Sequence, residues 1–353
     1  MSDRTVSPAA QDTPYAGLNP DCVLDALASV GLQGDGRLIQ LNSYENRVYQ
    51  VFLEGGKLVI VKFYRPGRWS DAQIAEEHRF VEQLGAAELP VAPSFRLEPS
   101  SIALSAKSVV LICPTLAQFR SNLGSYRFSV SERLSGRAPE LGNLETLMRV
   151  GRMIGRIHAI GRSERFSHRQ VLDPQTYGIA SRDWLLAQDL VPLGELAPWR
   201  EISAAALAAV DLAFKREASM RELRLHGDCH LGNILWADEG PQLVDFDDTC
   251  MGPAIQDLWM LLSGDRAAMT SQADAVLEGY EAFMDFDRRE LRLIEALRTL
   301  RMLHHSAWIA RRWSDPAFPL AFPWFAEAAY WAEQTVRLRE QVKLMAEPPL
   351  SPY

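Results

Sequence analysis

Several things are scarce or missing in this chain, and each absence narrows what it does. The four cysteines, Cys22, Cys113, Cys229 and Cys250, form no C-x-x-C pair, so neither a thiolate zinc site nor a redox pair is signalled. There is no apolar N-terminal leader and no apolar run of some 18 residues, which predicts neither a secretory signal nor a membrane span. A reduced, cytoplasmic setting follows from both. Basic residues are in deficit, with Lys+Arg 37 against Asp+Glu 45 and a net charge of -8. A dedicated nucleic-acid binder is disfavoured, since phosphate contacts need a basic surface. No internal repeat or low-complexity tract appears. What remains is a 353-residue chain, 47% hydrophobic, with enough apolar material for two cores.

The most informative stretch is HGDCHLGNILW, followed closely by LVDFDD. It places His226, Asp228, His230, Asn233 and Asp245 at the spacing that phosphoryl transfer uses. Gly227 and Gly232 let the intervening loop turn Asp228 and Asn233 toward one point, while Asp245 follows a short apolar strand able to pair beside that loop. In that geometry Asp228 accepts a hydroxyl proton, and Asn233 and Asp245 hold Mg²⁺ against nucleotide phosphates. Protein kinases write the same chemistry as H-R-D-x-x-x-x-N and D-F-G. Here Gly227 stands where they have Arg, and Asp247 where they have Gly. Without that Arg, a phosphorylated activation loop has no partner, and Gly252, Pro253 and Asp257 follow Asp245 too closely for a long activation segment.

Two other readings compete. A His-Gly-Asp turn can simply satisfy backbone N–H groups. Alternatively His226, Asp228, His230, Asn233, Asp245 and Asp247 can ligate two transition-metal ions, as in a phosphoesterase. The upstream half argues for a nucleotide site instead. In KLVIVKFYRPG, Lys62 lies inside an apolar strand after a hairpin at Gly55-Gly56, where a charge is costly unless it meets an anion. The helix SDAQIAEEHRFVEQLG follows, with Ser70 as N-cap, Gly85 as its stop, and Ile74, Phe80, Val81 and Leu84 as its apolar face. Its phase favours Glu77 over Glu76 as the Lys62 partner. The segment LNSYENRVYQV between the first strands has no glycine-rich loop, but Ser43 and successive N–H groups in a tight turn can bind phosphate. A plain hairpin turn is almost as good a reading there.

The blocks H-G-D-x-H-x-x-N, D-x-D and GPAIQDL resemble the aminoglycoside phosphotransferase and choline kinase superfamily. More closely, NSYENRVYQV, VIVKFYRPGRW, LRLHGDCHLGNILW, GPAIQDLWMLLSGD, ARRWSDPAFP and LMAEPPL resemble the bacterial stress response kinase A family over nearly the whole chain. That resemblance implies an α+β, bilobal protein-kinase-like fold and an ATP- and Mg²⁺-dependent serine/threonine protein kinase, cytoplasmic and monomeric, acting in stress survival. It implies Asp228 as proton acceptor, Asn233 and Asp245 as Mg²⁺ ligands, and Ser43 in the ATP site. The chain departs from the family mainly by a longer stretch around SIALSAKSVVLICPTLAQFRSNLGSYR.

Along the chain, residues 1–16 are expected to be disordered, 17–130 to form a nucleotide-binding lobe, and 131–353 a helical catalytic lobe. The hinge is expected at about 128–138, where backbone groups of YRFSVSERLSGR can read an adenine edge. His230 stands two residues after the base and either donates to the γ-phosphate or braces the loop. Asp257 is expected to accept loop N–H bonds and His226 to pack under Phe246. LRLIEALRTLRMLHHSAWIARRW reads as one long helix whose Arg298, Arg301, Arg311 and Arg312 either hold substrate or pair with surface carboxylates; His304 and His305 read as packing residues. Cys229 reads as a buried, inert thiol. The acceptor is a protein or, alternatively, a small molecule such as an amino alcohol, sugar or antibiotic. A nucleotide-binding pseudokinase is opposed by the intact Lys62, Asp228, Asn233 and Asp245.

Overall fold

Period-two alternation in the first half builds a sheet with two different faces. The computed structural model describes residues 14–100 and 107–352, so most of the segment expected to be disordered, and part of the longer stretch near 101–127, lies outside the described residues. Helix α1 (Pro20–Ala28) opens the described chain, capped by Asn19, whose side chain accepts the Cys22 N–H at 2.8 Å. Strands β1 (Gly34–Leu41), β2 (Arg47–Leu53) and β3 (Leu58–Phe63) follow, then helix α2 (Asp71–Ala86), then β4 (Ser108–Cys113), β5 (Leu116–Ser121) and β6 (Gly124–Glu132). They form one antiparallel sheet in the order β1-β2-β3-β6-β5-β4. Gly55 and Gly56, both at positive φ, make the β2–β3 turn.

Tyr49, Val51, Val59, Val61, Phe63, Phe128 and Val130 point to one face and share a core with Val23 and Leu27 of α1. The alternate residues Val48, Gln50, Ile60, Lys62 and Ser129 face a cleft on the other side. Helix α2 begins with a reciprocal capping box between Ser70 and Gln73. Its apolar face is divided: Ile74 packs with Tyr64 and Leu116, while Phe80, Val81 and Leu84 join the core of the following helices. Gly85 does not end it. The helix runs to Ala86, and Gly85 is a close-approach site where a Cβ would stand 2.5 Å from Pro93.

The second half is mostly helical: α3 (Leu144–Gly161), α4 (Ala180–Ala187), α5 (Leu193–Arg216), α6 (Gln256–Trp259), α7 (Arg266–Glu281), α8 (Ile294–Ala310), α9 (Ala317–Ala321) and α10 (Ala328–Leu344). Between α5 and α6 lie four short strands, β7 (Leu223–Leu225), β8 (Ile234–Ala237), β9 (Gly240–Leu243) and β10 (Cys250–Gly252). Strand β7 pairs with β10, and β8 with β9. The expected single helix from Leu291 is broken: Arg288–Leu293 is a 3₁₀ segment, and α8 closes before Arg311 and Arg312. Among the described residues, no helix is long and apolar enough to cross a membrane.

Helices α3 and α7 touch backbone to backbone because glycines line the crossing. A Cβ on Gly151 would sit 2.1 Å from the Val276 carbonyl oxygen, and one on Gly279 1.9 Å from that of Met148. Gly151→Ala is therefore expected to push the helices apart and destabilise the chain by about 1–3 kcal/mol. A denaturant midpoint equal to that of the parent chain would contradict this packing.

Candidate active site

The strand pairings put two loops side by side. Residues 226–233 connect β7 to β8 and residues 244–249 connect β9 to β10, so the two paired ladders hold both loops at one end. Asp257, at the start of α6, accepts the backbone N–H groups of His226 and Gly227, each at 2.8 Å. His158 Nε2 donates to the same carboxylate at 2.9 Å, and Tyr280 donates to His158 Nδ1 at 3.0 Å. His226 joins the loops: its Nε2 donates to the Val244 carbonyl at 2.9 Å, and its ring lies 4.6 Å from that of Phe246. Gly227 has φ +87, and a Cβ there would stand 2.2 Å from the Asp248 carbonyl oxygen. The glycine in place of the kinase Arg thus lets the second loop pass directly over the first.

Asp228 is largely buried and faces a guanidinium and an imidazole. Arg301 of α8 forms a short ion pair with its Oδ1, and His230 Nε2 lies 3.3 Å from its Oδ2. The His230 Nδ1 accepts the Gly232 N–H at 2.9 Å, which leaves the ring proton on Nε2. Burial raises the Asp228 pKa, but the His230 hydrogen bond and the Arg301 charge outweigh it and hold the carboxyl well below the usual range. The Asn233 amide nitrogen donates to the Asp228 carbonyl at 3.0 Å, so its oxygen remains free to accept. Asp245 sits at φ +61 with its side chain 53% exposed. Together an open amide oxygen and an accessible carboxylate suit a hard divalent cation.

Lys62 links this loop pair to the sheet. Its Nζ lies 3.1 Å from Asp245, 3.3 Å from Asp247 and 3.6 Å from Glu77. Burial opposes its charge, but Asp247, Glu77 and Asp245 raise its pKa well above the ordinary lysine value. Asp247 is held down in turn, since Lys62, Arg68 and Arg169 overcome its burial. Arg169 is buried and triply engaged, with Glu77 at 2.6 Å, the Asp247 carbonyl at 2.6 Å and the Gln73 carbonyl at 2.8 Å. Glu76 turns the other way, and its carboxylate accepts the N–H groups of Ser167, His168 and Arg169 at 2.6, 2.9 and 2.8 Å. Adjacent glutamates on one helix therefore diverge, one toward Lys62 and one toward the 167–169 backbone.

Two hollows meet at these residues. A cleft of about 450 Å³ runs under the sheet past Val48, Ile60, Lys62, Ser129 and Leu243 to residues 132–136. A second cavity, about 490 Å³, holds Asp228, His230, Asp247, Asp248, Arg301 and Trp308. Asn42, Ser43, Gly232, Asn233 and Asp245 line both. At the far end of the cleft, Arg137 and Trp236 exchange backbone hydrogen bonds at 3.0 and 2.7 Å, fixing residues 132–136 against β8.

The glycine-free turn after β1 is fastened by a carboxylate. Glu45 is buried against Arg65 at 3.2 Å and Arg312 at 2.7 Å, forms a short pair with Arg68, and accepts Trp308 Nε1 at 2.5 Å. Next to it, the Tyr44 ring lies 5.0 Å from that of Phe322. The turn is thereby tied to α8 and the segment that follows it.

Of the candidate residues, Lys62, Glu77, Ser43, Asp228, His230, Asn233 and Asp245 all line one or both hollows. Cys229 is fully buried, which pushes its thiol pKa up. Among the four arginines singled out, Arg298 pairs with Glu295 at 3.0 Å, Arg311 lies over Trp184, Arg312 pairs with Glu45, and Arg301 alone reaches Asp228. His304 and His305, expected as packing residues, form part of the cavity wall. Sequence reasoning missed Glu45, Arg68, Arg169 and Asp248. Only Asp248 carried a local signal, as the last acid of LVDFDD; the others meet the site from distant segments.

The model of the phosphotransferase enzyme family matches residues 37–294. Stress response kinase A of Escherichia coli strain K12 is 42% identical over 336 residues, 95% of this chain and 96% of that protein. A Salmonella typhimurium protein named serine/threonine protein kinase RdoA is 41% identical over the same shares. Among solved structures, amicoumacin kinase hAmiN in complex with AMP-PNP, Ca²⁺ and Ami has a TM-score of 0.68 at 18% identity, covering 96% of this chain and 97% of that one. A microcompartment-associated aminopropanol kinase also has a TM-score of 0.68, at 17% identity, covering 93% and 98%. At these identities the two structures show the kinase-like fold alone.

The Glu45 anchor gives a stability prediction. Glu45→Ala leaves Arg312 without a carboxylate partner, while Arg65 keeps Asp315 and Arg68 keeps Asp247 and Asp248, and is expected to cost about 3–5 kcal/mol. Urea unfolding measures it directly, and a loss under about 0.5 kcal/mol, the range of ordinary surface changes, would show that the pairs do not hold the turn.

Proposed function

The chain belongs to the phosphotransferase enzyme family, and from that premise we propose that it is an ATP- and Mg²⁺-dependent serine/threonine protein kinase. The observation that carries the reading is the junction of the two hollows: Asn233 and Asp245 line both, with Lys62 on the cleft side and Asp228 on the cavity side. A nucleotide in the cleft directs its terminal phosphate at that junction, and an acceptor in the cavity meets it there. In this assignment the lobes divide near residue 130, with a hinge at 128–138 that offers its backbone to the adenine edge.

Lys62, held by Glu77, binds the α- and β-phosphates, and Ser43 contacts the phosphates from the turn above. Asn233 and Asp245 would hold Mg²⁺, which would neutralise phosphate charge there. The acceptor hydroxyl hydrogen-bonds to ionised Asp228, its oxygen bonds to the γ-phosphorus as the bond to ADP breaks, and its proton passes to Asp228. His230 braces the Asp228 carboxylate through Nε2. Asp247 is less open to a metal than Asp245, because it is buried and shared by Lys62 and Arg68. Among the described residues no group of three His, Cys, Asp or Glu side chains suited to a metal occurs, which opposes the two-metal phosphoesterase.

A protein acceptor and a role in stress response rest on the relatives at 40–42% identity, whose names are stress response kinase A and serine/threonine protein kinase RdoA, and the cytoplasmic setting rests on the sequence reading alone. One observation favours a small-molecule acceptor as the second reading: the cavity holding Asp228, about 490 Å³, is of the size of small-molecule pockets. Incubation with γ-labelled ATP and separate protein and metabolite pools, read by mass, separates the two.

Asp228→Ala is expected to lower turnover about 10²–10⁴-fold with ATP binding largely kept. Near-parental turnover in purified protein would remove Asp228 from its role. If the protein instead carries stoichiometric zinc and cleaves phosphate esters without nucleotide, the phosphoesterase reading wins.

A further inference from the structure

The charge balance of the second cavity restricts what it can bind. Five carboxylates line it: Glu45, Asp228, Asp245, Asp247 and Asp248. Each already faces a cation. Glu45 has Arg65, Arg68 and Arg312; Asp245 and Asp247 share Lys62; Asp247 and Asp248 share Arg68; and Asp228 has Arg301. The carboxylate nearest the reacting hydroxyl, Asp228, is covered by a guanidinium, and of the others Asp245, the most exposed, is the one assigned to the metal.

Arg301 is also the least committed of these cations. Its side chain is 41% exposed, and only Nη1 is engaged, on Asp228 Oδ1. Among the described residues, Nε and Nη2 make no hydrogen bond, so one edge of the fork remains for a ligand. A guanidinium edge matches a carboxylate or phosphate with two parallel hydrogen bonds. Lys62 and Arg68, by contrast, are packed against several carboxylates each.

We propose that Arg301 selects the acceptor, binding an anionic group beside the reacting hydroxyl through its open edge while Nη1 stays on Asp228. The acceptor is then a hydroxyl flanked by a carboxylate or phosphate, which in a polypeptide is a serine or threonine beside an acidic residue. The inference rests on the phosphotransfer reading but not on the acceptor being a protein.

The test uses two matched sets of acceptors with the full-length protein. One is a serine peptide with Asp, Ala or Lys neighbours; the other is a hydroxy acid, a diol and an amino alcohol. In whichever set is phosphorylated, kcat/KM is expected to fall from anionic to cationic acceptor by about tenfold or more, the scale of one well-placed charge pair. Arg301→Gln should flatten that preference, and Arg301→Lys should keep part of it. A cationic acceptor used as well as the anionic one, or a preference that survives Arg301→Gln, overturns the proposal. Which set is phosphorylated decides separately between protein and small-molecule acceptors.

Discussion

The structure depends on how one buried ammonium is compensated. Lys62 stands in β3 between two core residues, on the cleft face of the sheet, and its charge is tolerable only because carboxylates from two other segments converge on it. Glu77 comes from α2, and Asp245 and Asp247 come from the loop between β9 and β10. The ion pairs therefore join the sheet, the helix above it and the loop pair below. Arg169 and Arg68 extend the arrangement, neutralising the carboxylates that Lys62 cannot satisfy alone. Leaving any one charge unpaired in such a site costs several kcal/mol, so the positions of the groups we assign to nucleotide and metal are set by the same balance that holds these segments together.

Much of this was legible because it is local. The spacing of Asp228, Asn233 and Asp245 carries its own geometry, and strand alternation places Lys62 opposite Val61 and Phe63. Helical phase distinguishes Glu77 from Glu76, and the structure adds what Glu76 does instead. Other features depend on segments far apart in sequence. Arg301 lies 73 residues from Asp228, and Arg312 lies 267 from Glu45. Nothing in the local pattern distinguishes Arg301 from Arg298 on the same helix, because the choice is made by where α8 packs. Gly85 misled for a similar reason: a glycine near a helix end reads as a stop, yet this one is there so that Pro93 can approach.

Two absences, the glycine-rich loop and the arginine before Asp228, acquire physical causes. The first turn needs no glycines because Glu45 ties it down through three guanidiniums and an indole. The residue before Asp228 is glycine because the Asp248 carbonyl occupies the space of any side chain there. With Arg301 and His230 already on Asp228, and Lys62 already on Glu77 and Asp245, the groups we assign to transfer are assembled in the unmodified chain.

That assembly is the central claim, and initial-rate kinetics test it. Protein treated with phosphatase and shown by intact mass to carry no phosphate is assayed with γ-labelled ATP against its acceptor. The account predicts full activity from the first turnover. A lag that prior autophosphorylation abolishes would contradict it, because the site would then be completed by a modification instead of by the fold.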